Sequence, residues 1–339
     1  MFDQLLQSAR TETITHELAL GILRESRDPT NALKLFQAAS ALRDERIGRN
    51  LWWSAAINGI LPCKIEPMCG YCGYATQDKI SNEQMVKVVK VLEEMGFQHL
   101  HISGGANLAG YDAEILSMVE AMRAVSSIAI EVNIGPSLGR ETVRKLKALK
   151  VSSITSSLET ISEEVFRDAK PGDSLEKRKA LLEMCEEEGM PTRGMLLIGL
   201  GESYDDRIRQ LFYLKGLKGL RHVRFSRFNP PAGLRYADHP RCSPWEVARI
   251  IAVARLIMPE VQLGLAAGNS HDDIPLWFLA GGGNQLLGAA AVRKTPKAQP
   301  GVNVIQIEEG LCVVSRMNTI EQYVQGMGLK IGFDCPPRA

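Results

Sequence analysis

Three cysteines lie close together in Cys63-Lys-Ile-Glu-Pro-Met-Cys69-Gly-Tyr-Cys72. Thiolates are soft ligands suited to iron–sulfur clusters or zinc. Pro67, Gly70 and Gly73 let the backbone wrap tightly around a bulky centre. With no fourth Cys or His alongside, a cubane held here keeps one iron open to a substrate or cofactor. Two other readings compete: a structural zinc site, which calls for four ligands, and three unrelated buried thiols. His99 and His101 share a strand face at i,i+2 spacing and are expected to be packed or hydrogen-bonded there rather than to complete a zinc set.

Such a loop needs a scaffold, and the chain of 339 residues is long enough to build one. Apolar residues at 45% and charged residues at 23% exclude wholesale disorder. Forty Lys and Arg against 39 Asp and Glu leave a formal charge of +1, which argues against a dedicated nucleic-acid binder. Seven cysteines are an odd count in a chain this large, whereas a secreted disulfide scaffold is shorter, denser in cysteine and usually even in number. The opening residues carry early acids and no basic run before an apolar core, unlike a secretory leader. No apolar run is long enough to cross a membrane. The expectation is a cytoplasmic protein.

From Leu51 onward, short apolar runs alternate with amphipathic helices, the rhythm of a parallel sheet. Strands are expected at 54–60, 99–103, 128–135, 152–159, 192–200, 222–228, 262–267 and 285–290. Helices are expected at 82–95, 113–125, 140–149, 174–188, 205–214, 244–257 and 275–279. Ser81, Ser174 and Ser243 suit helix N-caps, and Gly96 and Gly189 suit helix ends. Eight strand–helix units predict a (βα)8 TIM-type barrel, an α/β fold. The alternative, an open doubly wound sheet, lacks its GxGxxG turn after the first strand. The expected organisation is a helical extension over 1–47, the barrel over 48–300 and a tail over 301–339. That tail carries a hairpin at 304–308 and 311–316, followed by a short helix.

The cysteine loop resembles the cluster loop of radical S-adenosylmethionine (SAM) enzymes, including the aromatic Tyr71 before the last cysteine. The usual gaps are three residues and then two; here they are five and two. Ser103-Gly104-Gly105 after the second strand, Glu159 after the fourth, Arg178 in the next helix and Gly199-Leu200-Gly201-Glu202 after the fifth follow the order of that superfamily. The resemblance implies a 4Fe–4S cluster on Cys63, Cys69 and Cys72. It also implies SAM against Tyr71, Ser103, Gly104, Gly105, Glu159, Arg178, Gly199 and Leu200. Glu159 would take the ribose, Arg178 the carboxylate and the glycine turn the amino group. An external one-electron donor of the ferredoxin or flavodoxin type is implied as well.

Within the superfamily the chain is similar to biotin synthase and its relatives, most closely in Ile251-Ala-Val-Ala-Arg255-Leu-Ile-Met-Pro259 and Leu265-Ala-Ala-Gly268. His101, Asn133, Arg193 and Asn269 stand where biotin synthase holds a second, sulfur-donating cluster, so sulfur insertion by that route is not expected. The five-residue gap resembles the HcgA (HmdB) family and implies biosynthesis of the pyridinol part of the iron–guanylylpyridinol cofactor. Asn133, Arg193, Arg227 and Asn269 are candidate contacts to a small-molecule substrate near C-terminal strand ends. Arg193 and Arg227 suit a carboxylate or phosphate, or else form internal salt bridges. Cys185, Cys242, Cys312 and Cys335 are expected to be ordinary thiols, with Cys335 the one candidate for an extra ligand. Two alternatives stand beside this reading: a radical mutase or lyase acting on an amino acid, and a cluster-binding assembly scaffold without catalysis.

Overall fold

The computed structural model describes residues 2–11, 13–73, 75–266, 270–293 and 299–334. Three helices lead in: α1 (Phe2–Thr11), α2 (His16–Glu25) and α3 (Pro29–Arg46). Asp28 caps α3 by accepting from the amides of Thr30 and Asn31, and Pro29 fills the first turn, where no donor is needed.

Eight parallel strands then alternate with helices. They are β1 (Leu51–Asn58), β2 (His99–Ser103), β3 (Ala129–Asn133), β4 (Ser153–Thr155), β5 (Thr192–Ile198), β6 (Leu220–Arg227), β7 (Gln262–Leu265) and β8 (Gln285–Val292). The intervening helices are α4 (Asn82–Glu94), α5 (Asp112–Arg123), α6 (Arg140–Ala148), α7 (Glu163–Ala169), α8 (Leu175–Glu187), α9 (Tyr204–Lys215), α10 (Pro244–Ile257) and α11 (Ile274–Leu279). Ser81, Ser174 and Ser243 cap their helices, and Gly96 and Gly189 take positive φ at helix ends, as the sequence predicts. The sequence reading has no counterpart to α7, whose seven residues are too short for a periodic pattern.

Neighbouring strands pair in sequence order from β7 back to β1, and β1 pairs with β8, as a TIM-type fold requires. The β7–β8 seam is made differently. The Gly283 amide donates to the Leu263 carbonyl and the Asn284 amide to the Gln262 side chain (3.2 Å). Higher up, β8 instead pairs antiparallel with β10 (Leu311–Ser315), which hairpins with β9 (Asn303–Glu308). The expected tail hairpin is therefore part of the sheet. The chain continues through α12 (Met317–Gly326) to β11 (Ile331–Gly332), which pairs with the start of β1.

Alternation sorts the strand side chains. Ile102, Ile130, Val132, Val223 and Phe225 are fully buried against the helices, while residues of the opposite parity face the lumen. β4 is shorter than expected, because its ladder ends at Thr155 and Glu159 returns to the sheet through a single bridge to Leu196. The extension is tied down by arginines. Arg43 lies over the Phe278 ring and donates to the carbonyls of Phe278 and Gly282, and Arg249 of α10 donates to Ser26 and to the Leu23 carbonyl.

Candidate active site

The cysteine loop joins β1 to α4 across the C-terminal end of the barrel, the face that carries catalysis in such folds. Its backbone is held at many points. The Cys63 amide donates to Thr76 O (2.9 Å), Lys64 to Ala106 O (2.8 Å) and Gly70 to Ala169 O (2.8 Å). The Gly70 carbonyl accepts from Tyr236 (3.0 Å). Gly172 lies so close that a Cβ there would stand 2.3 Å from the Glu66 carbonyl carbon.

All three thiols are partly accessible. The Cys72 amide donates to the Cys69 carbonyl at 3.4 Å, and Cys63 lies toward Tyr111, whose hydroxyl donates to the Pro62 carbonyl at 2.6 Å. Among the described residues, no three Cys, His, Asp or Glu side chains converge on a single metal ion. A cubane asks for something else, because each thiolate takes a separate iron. Burial pushes the Cys69 thiol up to about 11, against the pull of Lys170 and Arg178. Thiols ligate metal as thiolates, so holding a cluster here would release the Cys69 proton. The donor set fits a cluster.

The glycine turn after β2 fits closely under this loop. Gly104 and Gly105 have φ of 114° and 74°, and a Cβ on either would fall 2.5–2.6 Å from the backbone at Gly59, Leu61 and Pro62. Ser103 donates to Asn58 Oδ1 (2.9 Å). Glu159 sits at φ 64°, a left-handed conformation rare for a residue with a side chain, and its buried Oε2 has no hydrogen-bond partner. An orphaned carboxylate oxygen in a strained turn is what a hydroxyl-bearing ligand would satisfy.

Arg178 is buried and largely committed within the chain. Its Nε and Nη2 donate to Asp173 Oδ2 (3.0 and 2.7 Å) and its Nη1 to the Ser157 carbonyl (2.5 Å). Asp173 also takes Lys170 at 3.1 Å. Burial disfavours the Asp173 charge, but Arg178 and Lys170 outweigh it and hold the carboxyl far below its usual range. Of the five guanidinium donors of Arg178, three are used. In the Gly199–Glu202 turn the amides of Gly199 and Leu200 are likewise occupied, donating to the Glu202 carboxylate at 2.9 and 2.8 Å. Tyr71 packs edge-on against Phe228 (6.3 Å) and Tyr236 (6.4 Å), and His239 stacks on Tyr236. Phe228 and Tyr236, with His239 packed behind them, escape the sequence reading, because the contact of Phe228 and Tyr236 with Tyr71 joins segments more than 150 residues apart.

The substrate candidates divide. Asn133 ends β3 and donates to Ser157 Oγ at 3.3 Å. Arg193 is not at a C-terminal strand end but is the second residue of β5, and it points across the lumen to Ser153 (2.9 Å), Gln285 (3.2 Å) and Glu131 (3.0 Å). Arg227 ends β6, but it shares the parity of Val223 and Phe225, and it pairs outside the lumen with Asp273 at 3.2 Å. Both arginines thus form internal salt bridges. Asn269 and Cys335 lie outside the described residues.

Beneath the mouth lies a buried polar network. Glu131 accepts from both terminal nitrogens of Arg224 (2.5 and 2.6 Å) and from Thr155 (2.6 Å), and it faces His101 at 3.0 Å. Burial opposes its ionisation, but Arg193, Arg224 and His101 hold its carboxyl well below the usual range. Glu131 and Arg224 are missing from the sequence candidates. Their signal is a lone charge inside a strand, Glu131 between Ile130 and Val132 and Arg224 between Val223 and Phe225.

The comparisons agree with this geometry. Residues 66–212 match the radical SAM superfamily model, a span that begins just after Cys63. An uncharacterized protein of Methanocaldococcus jannaschii is 29% identical over 89% of this chain and 80% of its own length. Biotin synthase of Beijerinckia indica is 27% identical over 68% of this chain and 76% of its own. In fold, the chain is similar to methylornithine synthase PylB (TM-score 0.74, 19% identity, 96% and 97% covered). It is also similar to the hydrogenase maturase HydG of Carboxydothermus hydrogenoformans (TM-score 0.80, 19% identity, 99% and 80% covered). A thiol loop, a glycine cradle and an orphaned carboxylate meet at one barrel mouth, and residues 66–212, which hold the last two, match the radical SAM superfamily; the chain is an enzyme whose cofactors are a 4Fe–4S cluster and SAM.

Proposed function

We propose that this enzyme acts in biosynthesis of the pyridinol part of the iron–guanylylpyridinol cofactor, with the cluster on Cys63, Cys69 and Cys72. The observation that carries the finer assignment is the five-residue gap between the first two cysteines. The chemistry the cofactor pair supplies when bound is one-electron cleavage of SAM to methionine and a 5′-deoxyadenosyl radical. Within the chain, Glu159 Oε2 would accept from the ribose hydroxyls. The glycines at 104 and 105 would let backbone approach the amino group, and the two unused donors of Arg178 would meet the carboxylate. Asp173 sets the direction of those donors. Tyr71 and Phe228 would wall the adenine side. The electron donor would be of the ferredoxin or flavodoxin type.

Reconstituted protein with SAM and dithionite should release 5′-deoxyadenosine. A preparation with Cys63, Cys69 and Cys72 all replaced by Ala should lose both the brown chromophore and that product. Deuterium moving from a labelled pyridinol precursor into 5′-deoxyadenosine would support the pathway assignment. Transfer only from free amino acids would move the enzyme to the mutase or lyase class.

A further inference from the structure

The internal network leaves His101 half used. This residue stands on β2 in register with Ala56 of β1 and Glu131 of β3. Leu100 and Ile102 on either side of it are buried in the core, so alternation turns His101 toward the lumen. Ser103 and Asn133 form the next inward register pair up β2 and β3, about 7 Å higher, and Ser103 leads into the Gly104–Gly105 cradle. His101 therefore lies one step below the mouth, within reach of a small molecule seated under the cradle.

One ring nitrogen is committed. Nδ1 lies 3.0 Å from Glu131 Oε1. Burial opposes the Glu131 charge, but Arg193, Arg224 and His101 keep the carboxyl ionised. A bare nitrogen lone pair so near a carboxylate would be repelled, so Nδ1 carries the proton and donates it. Arg224 Nη1, 3.3 Å from Nδ1, makes its short bond to Glu131 Oε1 at 2.5 Å. Burial lowers the His101 midpoint; Glu131 pulls it up, and Arg224 and Arg193 push it down again, leaving the ring neutral near pH 7. His222, behind these arginines, is held below its usual range as well, chiefly by burial.

The other nitrogen is free to act. With the proton on Nδ1, Nε2 is an acceptor, and it has no partner among the described residues. The Nε2 of His222 is sealed in the interior, whereas that of His101 is open, its side chain 16% exposed. Glu159, the other buried carboxylate of this mouth, faces Tyr71 and Arg178, and as an acceptor itself it cannot satisfy Nε2. What Nε2 lacks is a donor, and a weakly acidic hydroxyl suits a neutral imidazole best.

We propose that His101 Nε2 receives the substrate, which presents a ring hydroxyl to it as a hydrogen-bond donor. His101 is then also placed to take that proton: the O–H bond breaks as Nε2–H forms, leaving an oxyanion beside an imidazolium paired with Glu131. This rests on the lumen being the substrate chamber, as in the function proposed above, and a pyridinol carries such a hydroxyl.

The test is equilibrium dialysis of radiolabelled phenol, anisole and pyridine against the cluster-loaded, SAM-bound, unreduced enzyme. Phenol should bind about tenfold more tightly than anisole, which lacks the donor, and pyridine, which only accepts, should do no better than anisole. The phenol preference should hold down to about pH 6.5 and fall below it, as Nε2 gains a proton and becomes a donor. Diethyl pyrocarbonate, mapped by peptide mass spectrometry on the cluster-loaded enzyme, should modify His101 and spare His222, and phenol but not anisole should slow that reaction. His101→Phe should erase the preference, and His101→Gln, which keeps an acceptor, should restore part of it. A merely structural histidine predicts no difference between phenol and anisole. Equal affinity for those two, tighter binding of pyridine, or an unreactive His101 would overturn the proposal. The wild-type comparison needs no variant, so misfolding of a mutant cannot rescue the idea. SAM binding, measured in parallel, tests the proposed function independently of the probes.

Discussion

Replacing Asp173 by Asn tests whether the Lys170–Asp173–Arg178 cluster is held by charge. Oδ2 of Asp173 lies 2.7 Å from Arg178 Nη2 and 3.1 Å from Lys170 Nζ, and its side chain is 1% exposed. The amide is nearly isosteric and still accepts one hydrogen bond, so what disappears is the anion between two buried cations. At the effective dielectric of such sites, each contact contributes about 4 kcal/mol of attraction, much of it offset by desolvation. Removing one partner of a buried pair costs about 3–5 kcal/mol. Lys170→Met, which removes one of two cations from the same anion, should cost less than about 1.5 kcal/mol.

Urea midpoints of the apo-proteins, read by circular dichroism and tryptophan fluorescence, would measure both; coincidence of the two signals licenses the comparison. The pH dependence has a definite sign. The Asp173 carboxyl is depressed on folding, so its contribution is fully present above the unfolded carboxylate value of about 3.9 and is lost as pH falls toward the folded one. The gap between wild type and Asp173→Asn should be flat from neutral pH to about 5 and close below about 4. Equal costs for the two substitutions, or an Asp173→Asn cost below about 1 kcal/mol, would refute the electrostatic account.

Three further outcomes follow from the geometry. Gly105→Ala should block cluster loading, measured as iron after reconstitution, because its Cβ meets two carbonyl oxygens at 2.5 Å; Gly201→Ala, with positive φ but open space, should load normally. Glu159→Ala should raise the SAM dissociation constant about tenfold or more in equilibrium dialysis, whereas an unchanged constant would remove Glu159 from the SAM site. Arg255, fully buried, donates to the carbonyls of Gly281, Pro259 and Val261; Arg255→Met should lower stability by about 3–5 kcal/mol by chemical denaturation, with little rescue by Lys, whose three donors lack the planar fork.

Much of the site was legible because its parts are local. The cysteine spacing is written within one loop, and Ser103-Gly104-Gly105 and Glu159 follow strands whose apolar runs mark their ends. Capping serines and helix-ending glycines located most helices for the same reason. The arginines were harder. An Arg at the end of a predicted strand can point into the lumen or away from it, and a shift of one residue reverses the answer. Arg193 lies at the start of β5 and Arg227 on the outward face of β6, distinctions that rest on where each ladder begins.

The sequence alone determined the chemistry available: soft ligands in a wrapped loop, glycines where backbones must approach, and eight strand–helix units to carry them. Those features depend on neighbours along the chain, so their pattern survives without coordinates. Only the tertiary structure decided which charges meet. Glu131 and Arg224 are 93 residues apart, Arg193 reaches Gln285 across 92, and Asp173 takes up most of Arg178 before any ligand arrives. Closing the barrel brings these groups into a low-dielectric interior, where a pairing that would matter little in water fixes both orientation and net charge.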